Sequence, residues 1–115
     1  MEIVPVDLML EELGISHVDV MKIDTQGAEP FVFDGMKQLL QKNRCLKIMI
    51  EFWPWGIRQA GRDPGEFLET IKEYGFSVSE IHDDRKGMTP LHNFSSILEL
   101  SLERQHTDLF LERSV

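Results

Sequence analysis

Two short apolar segments separated by a helical stretch constrain the fold of this 115-residue chain more than any other feature. "HVDVMKID", residues 17 to 24, and "LKIMIEFW", residues 46 to 53, are mostly apolar, which is typical of strands covered on both faces. Between them, Gly27 and Pro30 begin a helix that we expect to continue past Gly35. Strand, helix and strand within ~35 residues predict a right-handed βαβ unit with parallel strands.

Further helix and strand signals follow the same alternation. Asp7 is placed to cap a short helix that Gly14 ends, and Asp63 begins the clearest helix of the chain. Residues 76 to 81 alternate as an outer strand does, and residues 107 to 114 form the last strand, with a short helix expected between them. The sequence therefore predicts one α/β domain with an open, largely parallel sheet and helices on its faces.

Charge and cysteine content exclude several classes of protein. The formal net charge of -8 disfavours nucleic acid and anionic lipid surfaces as partners. No apolar run approaches the ~20 residues that span a bilayer, and the N-terminus has no basic secretory segment, so we expect a cytoplasmic protein. Cys45 is the single cysteine, which rules out an intrachain disulfide and favours a small, buried or half-buried side chain.

The histidines do not form a metal pattern. They are scattered along the chain without helical or hairpin spacing, at His17, His82, His92 and His106. His82 with Asp83 and Asp84 has the residue types of a cation site, but acids before Gly87 are more typical of a solvated turn. We therefore predict no metal ion.

Three acidic residues follow or end the first two predicted strands. Asp24 ends the first strand, Glu29 lies in the first turn of the next helix, and Glu51 is near the end of the second strand. Because ligands of open α/β sheets bind beyond the carboxyl ends of the strands, these acids are candidate catalytic residues. Each also has a structural interpretation, as a cap, as a partner of the helix dipole, or as an ion pair with a nearby lysine.

An aromatic segment with the sequence "PWG" ends the second strand, and we expect it to be a rigid loop. Trp53 and Trp55 flank Pro54, and Arg58 follows shortly after. We expect Trp53 to cover the end of the core, and Trp55 with Arg58 to line a substrate-binding pocket.

Several motifs together resemble the C-terminal half of the FkbM-type methyltransferases. They are "VDVMKIDTQGAEPFVFDG", "LKIMIEFWP" and "GRDPGEFLETIKEYGF", in that order, and the resemblance extends from about Val4 to the final "DLFLER". Asp24, Glu29 and Glu51 fall on acidic positions of the family near its cofactor and acceptor. Gln26 stands where the family more often has glutamate, which removes one carboxylate from the expected site.

The resemblance implies a partial Rossmann-like class I methyltransferase fold with a mixed sheet of about four strands over residues 1–115. It implies S-adenosylmethionine as the cofactor and a hydroxyl oxygen of a small molecule or sugar as the methyl acceptor. The glycine-rich turn and the acid that hold the cofactor in the family have no counterpart in this sequence. No cofactor-binding residue is therefore assigned, and we expect the isolated chain to be inactive.

In the family, three strands would precede the segment that corresponds to residue 1, and this sequence does not include them. The resemblance therefore implies that the family's fourth strand lacks its neighbour here. We expect residues 18 to 23 to form an exposed apolar edge, covered by a second copy in a homodimer or by the missing N-terminal half. Two functions follow from the sequence. One is a methyltransferase fragment, and the alternative is a non-enzymatic binding or dimerisation module derived from a methyltransferase.

Overall fold

A computed structural model of the chain describes residues 5–82 and 87–113. The helices are α1 Val6–Leu13, α2 Glu29–Asp34, α3 Lys37–Lys42, α4 Pro54–Gln59, α5 Pro64–Glu73 and α6 Ser95–Leu98. The strands are β1 Val20–Ile23, β2 Lys47–Phe52, β3 Ser77–Ile81, β4 Met88–Pro90 and β5 Thr107–Glu112. None of the helices in this part of the chain has the length and apolarity needed to span a bilayer.

The strands form one open sheet in the order β1-β2-β5-β3-β4. β1 and β2 are parallel, and β5 lies antiparallel between β2 and β3. This topology confirms the α/β class and is compatible with a partial Rossmann-like sheet. The prediction of a largely parallel sheet is wrong, because β1 with β2 is the one parallel pair among the described strands and the other three pairs are antiparallel. β4 adds a fifth strand beside β3, so the prediction that β3 is the outer strand is wrong.

β1 forms one edge of the sheet. In the described part of the chain it pairs with β2 alone. It is shorter than predicted and is not covered on both faces, since Val20 is 60% exposed and Ile23 is its one buried residue. The apolar run that suggested a central strand is therefore an edge strand with a single covered face.

One face of the sheet is buried and the other is open. On β2, Ile48 and Ile50 are buried, whereas Lys47 and Met49 between them are exposed. The buried face packs against apolar side chains of α2, α3 and α5 in one core cluster. The connection from β1 to β2 and the connection from β2 to β3 both lead towards the β4 edge of the sheet, the second one passing over β5. Right-handed crossovers that advance in one direction place their helices on the same face.

The predicted helix through Gly35 is divided into α2 and α3. A Cβ atom on Gly35 would lie 3.2 Å from Cα of Pro5, so the chain before α1 packs closely at the break. Asp7, predicted to cap α1, lies inside that helix. Its carboxylate instead accepts hydrogen bonds from the amides of Gln38 at 2.8 Å and Leu39 at 3.0 Å, at the start of α3.

Other helix boundaries follow their sequence signals. Gly14 ends α1 with a left-handed φ of 71°. The Asp63 carboxylate accepts a hydrogen bond from the amide of Glu66 at 2.9 Å, as expected of an N-cap. Asn93 accepts one from the amide of Ser95 at 3.2 Å, at the start of the short α6.

Two local predictions are wrong. The "PWG" segment was expected to be a loop but begins α4, with Pro54 in the first turn, where its missing amide costs little. Cys45 is exposed rather than buried, because Leu46 takes the buried position of the turn before β2. The last strand ends at Glu112, and Ser114 lies outside the described residues.

The turn after β1 and the helix after β2 meet at two glycines. Gly27 is buried with a φ of 99°, and a Cβ atom there would lie 2.6 Å from the carbonyl carbon of Gly56. Gly56 itself packs against the indole of Trp53. This backbone contact leaves no room for a side chain and holds the carboxyl ends of β1 and β2 together.

We expect Gly27→Ala to destabilise the protein more than Gly61→Ala. Both glycines have positive φ, 99° and 84°, but a Cβ atom on Gly61 meets nothing within 4 Å. Each substitution carries a left-handed penalty of about 1 kcal/mol, and overpacking adds about 2 kcal/mol at Gly27 alone. Urea denaturation of both variants measures the difference, and equal losses would contradict the importance of the glycine contact.

Candidate active site

Three acidic residues form a row at one end of the sheet. Ile23 pairs with Ile50 across β1 and β2, so Asp24 lies level with Glu51 at the next position. Glu51 pairs in turn with Asp108 of β5. All three lie on the open face, because the alternate residue Ile50 belongs to the buried face.

These acids line a pocket of about 200 Å³. Its lining residues are Lys22, Asp24, Met49, Ile50, Glu51, His106 and Asp108. The structure thus brings Asp24 and Glu51 together at the predicted edge, at the carboxyl ends of two parallel strands. Their catalytic role stays a prediction.

The carboxyl group of Glu51 has an unusual electrostatic environment. Burial raises its pKa above the ordinary value of 4.5, and a hydrogen bond to Asp24 and the negative charges of Asp24 and Asp108 raise it further. The nearby His106 acts in the opposite direction, with Nδ1 at 4.0 Å from Oε1 of Glu51. Protonated Glu51 donates to the Asp24 carboxylate, so Glu51 retains its proton above the ordinary range of a glutamate.

Glu29 is placed differently from the other two acids. It is fully buried, and its carboxylate accepts hydrogen bonds from the amide of Thr25 at 2.9 Å, from the Thr25 hydroxyl, and from the amide of Gly27 at 3.2 Å. It does not line the pocket of Asp24 and Glu51. The geometry gives Glu29 the task of holding the turn after β1, and its predicted catalytic role is not tested by this arrangement.

Gln26 has a defined place in the same turn. It adopts a φ of 55°, which is uncommon for a residue other than glycine, and its side-chain amide donates to Asp24 Oδ1 at 3.2 Å. A glutamate at this position would place another negative charge beside Asp24. The glutamine therefore supplies a neutral donor to the carboxyl pair.

The aromatic segment lies outside the pocket. The indole of Trp53 donates to the carbonyl oxygen of Glu103 at 2.6 Å, and its ring lies 5.4 Å from that of Trp55. Trp53 is half-buried rather than fully buried at the end of the core. Trp55 is half-buried and Arg58 is exposed, and neither lines the pocket of Asp24 and Glu51. Their role in substrate binding stays a prediction.

His106 and Asp108 are pocket residues that the sequence did not identify. Alternation in "HTDLFLE" places both on the open face of the sheet, and this was the available signal. His82 instead contacts the hydroxyl of Thr89, and the two aspartates weighed with it, Asp83 and Asp84, lie outside the described residues. Within residues 5–82 and 87–113 no cluster of histidine, cysteine and acidic residues has the geometry of a metal site.

Comparison with known families decides the classification of the chain. The family model of the methyltransferase FkbM domain matches residues 1–78. The chain belongs to the FkbM methyltransferase domain family. The search of curated proteins and the search of solved structures find no significant match. The matched residues include Asp24, Glu29 and Glu51, whereas His106 and Asp108 lie beyond them.

FkbM methyltransferases use S-adenosylmethionine, and neither cavity beside β1 has the features expected of a site for that cofactor. The acidic pocket holds about 200 Å³, below the roughly 300 Å³ at which sites for such ligands begin. A second groove of about 630 Å³ lies between α1 and β1, but its walls are largely apolar, with Val6, Met9 and Met21. Neither offers a glycine-rich turn to a nucleoside, so no cofactor-binding residue is assigned.

We expect Glu51→Gln to change how stability depends on pH. Because the pKa of Glu51 is raised in the folded state, the folded protein binds the proton more tightly. The free energy of unfolding therefore falls as pH rises from 4.5 through the raised value. The glutamine removes this fall, so the variant gains stability over the wild type towards neutral pH.

Thermal unfolding between acidic and neutral pH measures this effect. Glu69→Gln on α5 is the matched control, since it removes an exposed charge far from the pocket. If the stability of both variants depends on pH as that of the wild type does, the prediction is contradicted, and Glu51 does not retain its proton in the folded state.

Proposed function

We propose that this chain forms the acceptor side of an FkbM-type methyl-transfer site, acting on a hydroxyl oxygen of a small molecule or sugar. The observation that carries the proposal is the pairing of Asp24 with Glu51 at the carboxyl ends of β1 and β2. Enzymes with open α/β sheets bind their substrates beyond the carboxyl ends of the strands, and the carboxyl pair lies at that end.

The chemistry of the pocket favours a neutral hydroxyl compound. Carboxylates accept hydrogen bonds from hydroxyl groups, whereas three acids, Asp24, Glu51 and Asp108, repel an anion. In its carboxylate form, Glu51 takes the proton of a hydroxyl group bound to it, which makes that oxygen a better nucleophile. The raised pKa of Glu51 brings it closer to the range in which a general base works at neutral pH.

In the proposal, other residues or another chain hold the cofactor. The pocket is too small for S-adenosylmethionine, and the sequence contains no glycine-rich turn of the kind that holds a nucleoside. The isolated chain therefore binds the acceptor without transferring a methyl group. S-adenosylmethionine belongs to the complete site, where it supplies the methyl group.

We expect neutral methyl glycosides to perturb the amide resonances of Asp24, Glu51 and Asp108 in the ¹⁵N-labelled chain. Sugar phosphates of the same size should not, since the pocket repels their charge. Glu51→Gln should weaken the response to the glycosides, and Glu69→Gln, whose residue is exposed on α5, should leave it unchanged.

Two results would contradict the proposal. One is a response to glycosides that is the same in Glu51→Gln as in the wild type, or that maps away from the pocket. The other concerns the cofactor: calorimetry with S-adenosylhomocysteine should give no saturable heat with the chain alone, and clear binding would show that the chain holds the cofactor unaided.

The edge of β1 favours a second candidate function, a module that pairs with its own copy. The amide of Lys47 donates to the carbonyl of Asp19 at 3.0 Å, so by alternation Val20 and Lys22 direct their backbone groups away from β2. No strand covers them among the described residues. Two identical edges that run antiparallel satisfy each other's groups around a twofold axis, and a second copy is therefore the proposed partner.

We expect the wild-type chain to have the mass of two copies in light scattering after size exclusion at micromolar concentration. Val20→Pro removes an outward amide without removing a bond to β2, so it should give a monomer with an unchanged circular dichroism spectrum. Val20→Thr keeps the amide and should remain dimeric. A wild-type chain that is monomeric under these conditions would exclude the module.

A further inference from the structure

His106 is held in a fixed place beside the carboxyl pair. On its C-terminal side β5 begins at Thr107, which is paired with Phe52 of β2. On its N-terminal side the turn is closed by two contacts. The side chain of Gln105 accepts from the amide of Leu102 at 2.9 Å, and the indole of Trp53 donates to the carbonyl of Glu103.

The position of His106 relative to Glu51 suits an electrostatic role. Its Nδ1 lies 4.0 Å from Oε1 of Glu51, beyond hydrogen-bond distance but close enough for a strong charge interaction. The side chain of Glu51 is 22% exposed and that of His106 is 51% exposed. The Glu51 side chain is therefore largely shielded from water, whereas the His106 side chain is open to it.

Other charged groups also face Glu51. β1 contributes Lys22 and Asp24, and β5 contributes Asp108. The two aspartates disfavour a charged Glu51, whereas His106 favours it. Lys22 is exposed, and it is not among the groups that change the pKa of Glu51. His106 is thus the cation that offsets the two neighbouring carboxylates.

We propose that His106 is a positioning residue that keeps Glu51 of the proposed acceptor site in its carboxylate form. The inference rests on the proposed function and extends it beyond residues 1–78, the part of the chain that matches the family. Through His106, the turn before β5 influences the protonation of Glu51 on β2.

The physical reason lies in the order in which the groups titrate. Histidines carry a positive charge below about pH 6.5, the range in which a glutamate loses its proton. A positively charged imidazole at His106 favours the carboxylate form of Glu51. Glu51 therefore loses its proton at a lower pH in the wild type than in a variant without His106. The site then has its proton acceptor over a wider range of pH.

The test follows the ¹³C resonance of the Glu51 carboxyl group as a function of pH. We expect His106→Gln to raise the titration midpoint of Glu51 by about half to one pH unit, as a partly screened charge at this distance does. His92→Gln is the matched control, because His92 is exposed and lies outside the pocket. It should leave the midpoint unchanged.

Two further arms separate a charge effect from a structural one. His106→Lys restores a positive charge and should return the midpoint towards that of the wild type, and the effect of His106→Gln should shrink at high salt. An unchanged or lowered midpoint in His106→Gln would overturn the inference. The inference would also be overturned if His106→Lys did not return the titration midpoint of Glu51 towards the wild-type value.

The pH profile of glycoside binding links this role to the site. If glycosides bind, His106→Gln should shift the acid limb of binding upwards by the same amount as the Glu51 midpoint. If glycosides do not bind the wild type, the proposed function fails, while the carboxyl titration still decides whether His106 sets the protonation of Glu51.

Discussion

The parallel pairing of β1 with β2 is the interaction on which the rest of the site depends. Its register places Asp24 level with Glu51, and the buried contact of Gly27 with Gly56 keeps the two strand ends together. The pKa of Glu51 is raised because the side chain is partly buried at this position and because the Asp24 carboxylate lies beside it. The site is therefore a consequence of backbone packing, to which the side chains respond.

The one-sided sheet explains the other properties of the chain. Because the helices pack on a single face, the carboxyl row stays on the open face, where water shields part of its charge. The same arrangement leaves the pocket shallow and the edge of β1 unpaired among the described residues. This chain of the FkbM family presents an acidic open face and an unpaired strand edge together, and this links the two proposed functions.

Local sequence signals predicted the βαβ unit and the meeting of Asp24 with Glu51, because the carboxyl ends of neighbouring parallel strands share one edge. They did not predict that Glu29 turns inward, since this depends on the conformation of residues 24–27 rather than on the pattern of residue types. His106 and Asp108 were missed because β5 inserts between β2 and β3. Such a long-range pairing leaves no mark on the local pattern.

A double-mutant cycle shows whether Asp24 and Glu51 form one electrostatic unit. The free energy of unfolding is measured at pH 7 for Asp24→Asn, Glu51→Gln and the double variant. Removing either charge relieves the same repulsion, so the double variant should gain no more than the better single variant. The resulting coupling energy should be at least about 0.5 kcal/mol. Additive effects would contradict the claim and show two independent surface acids.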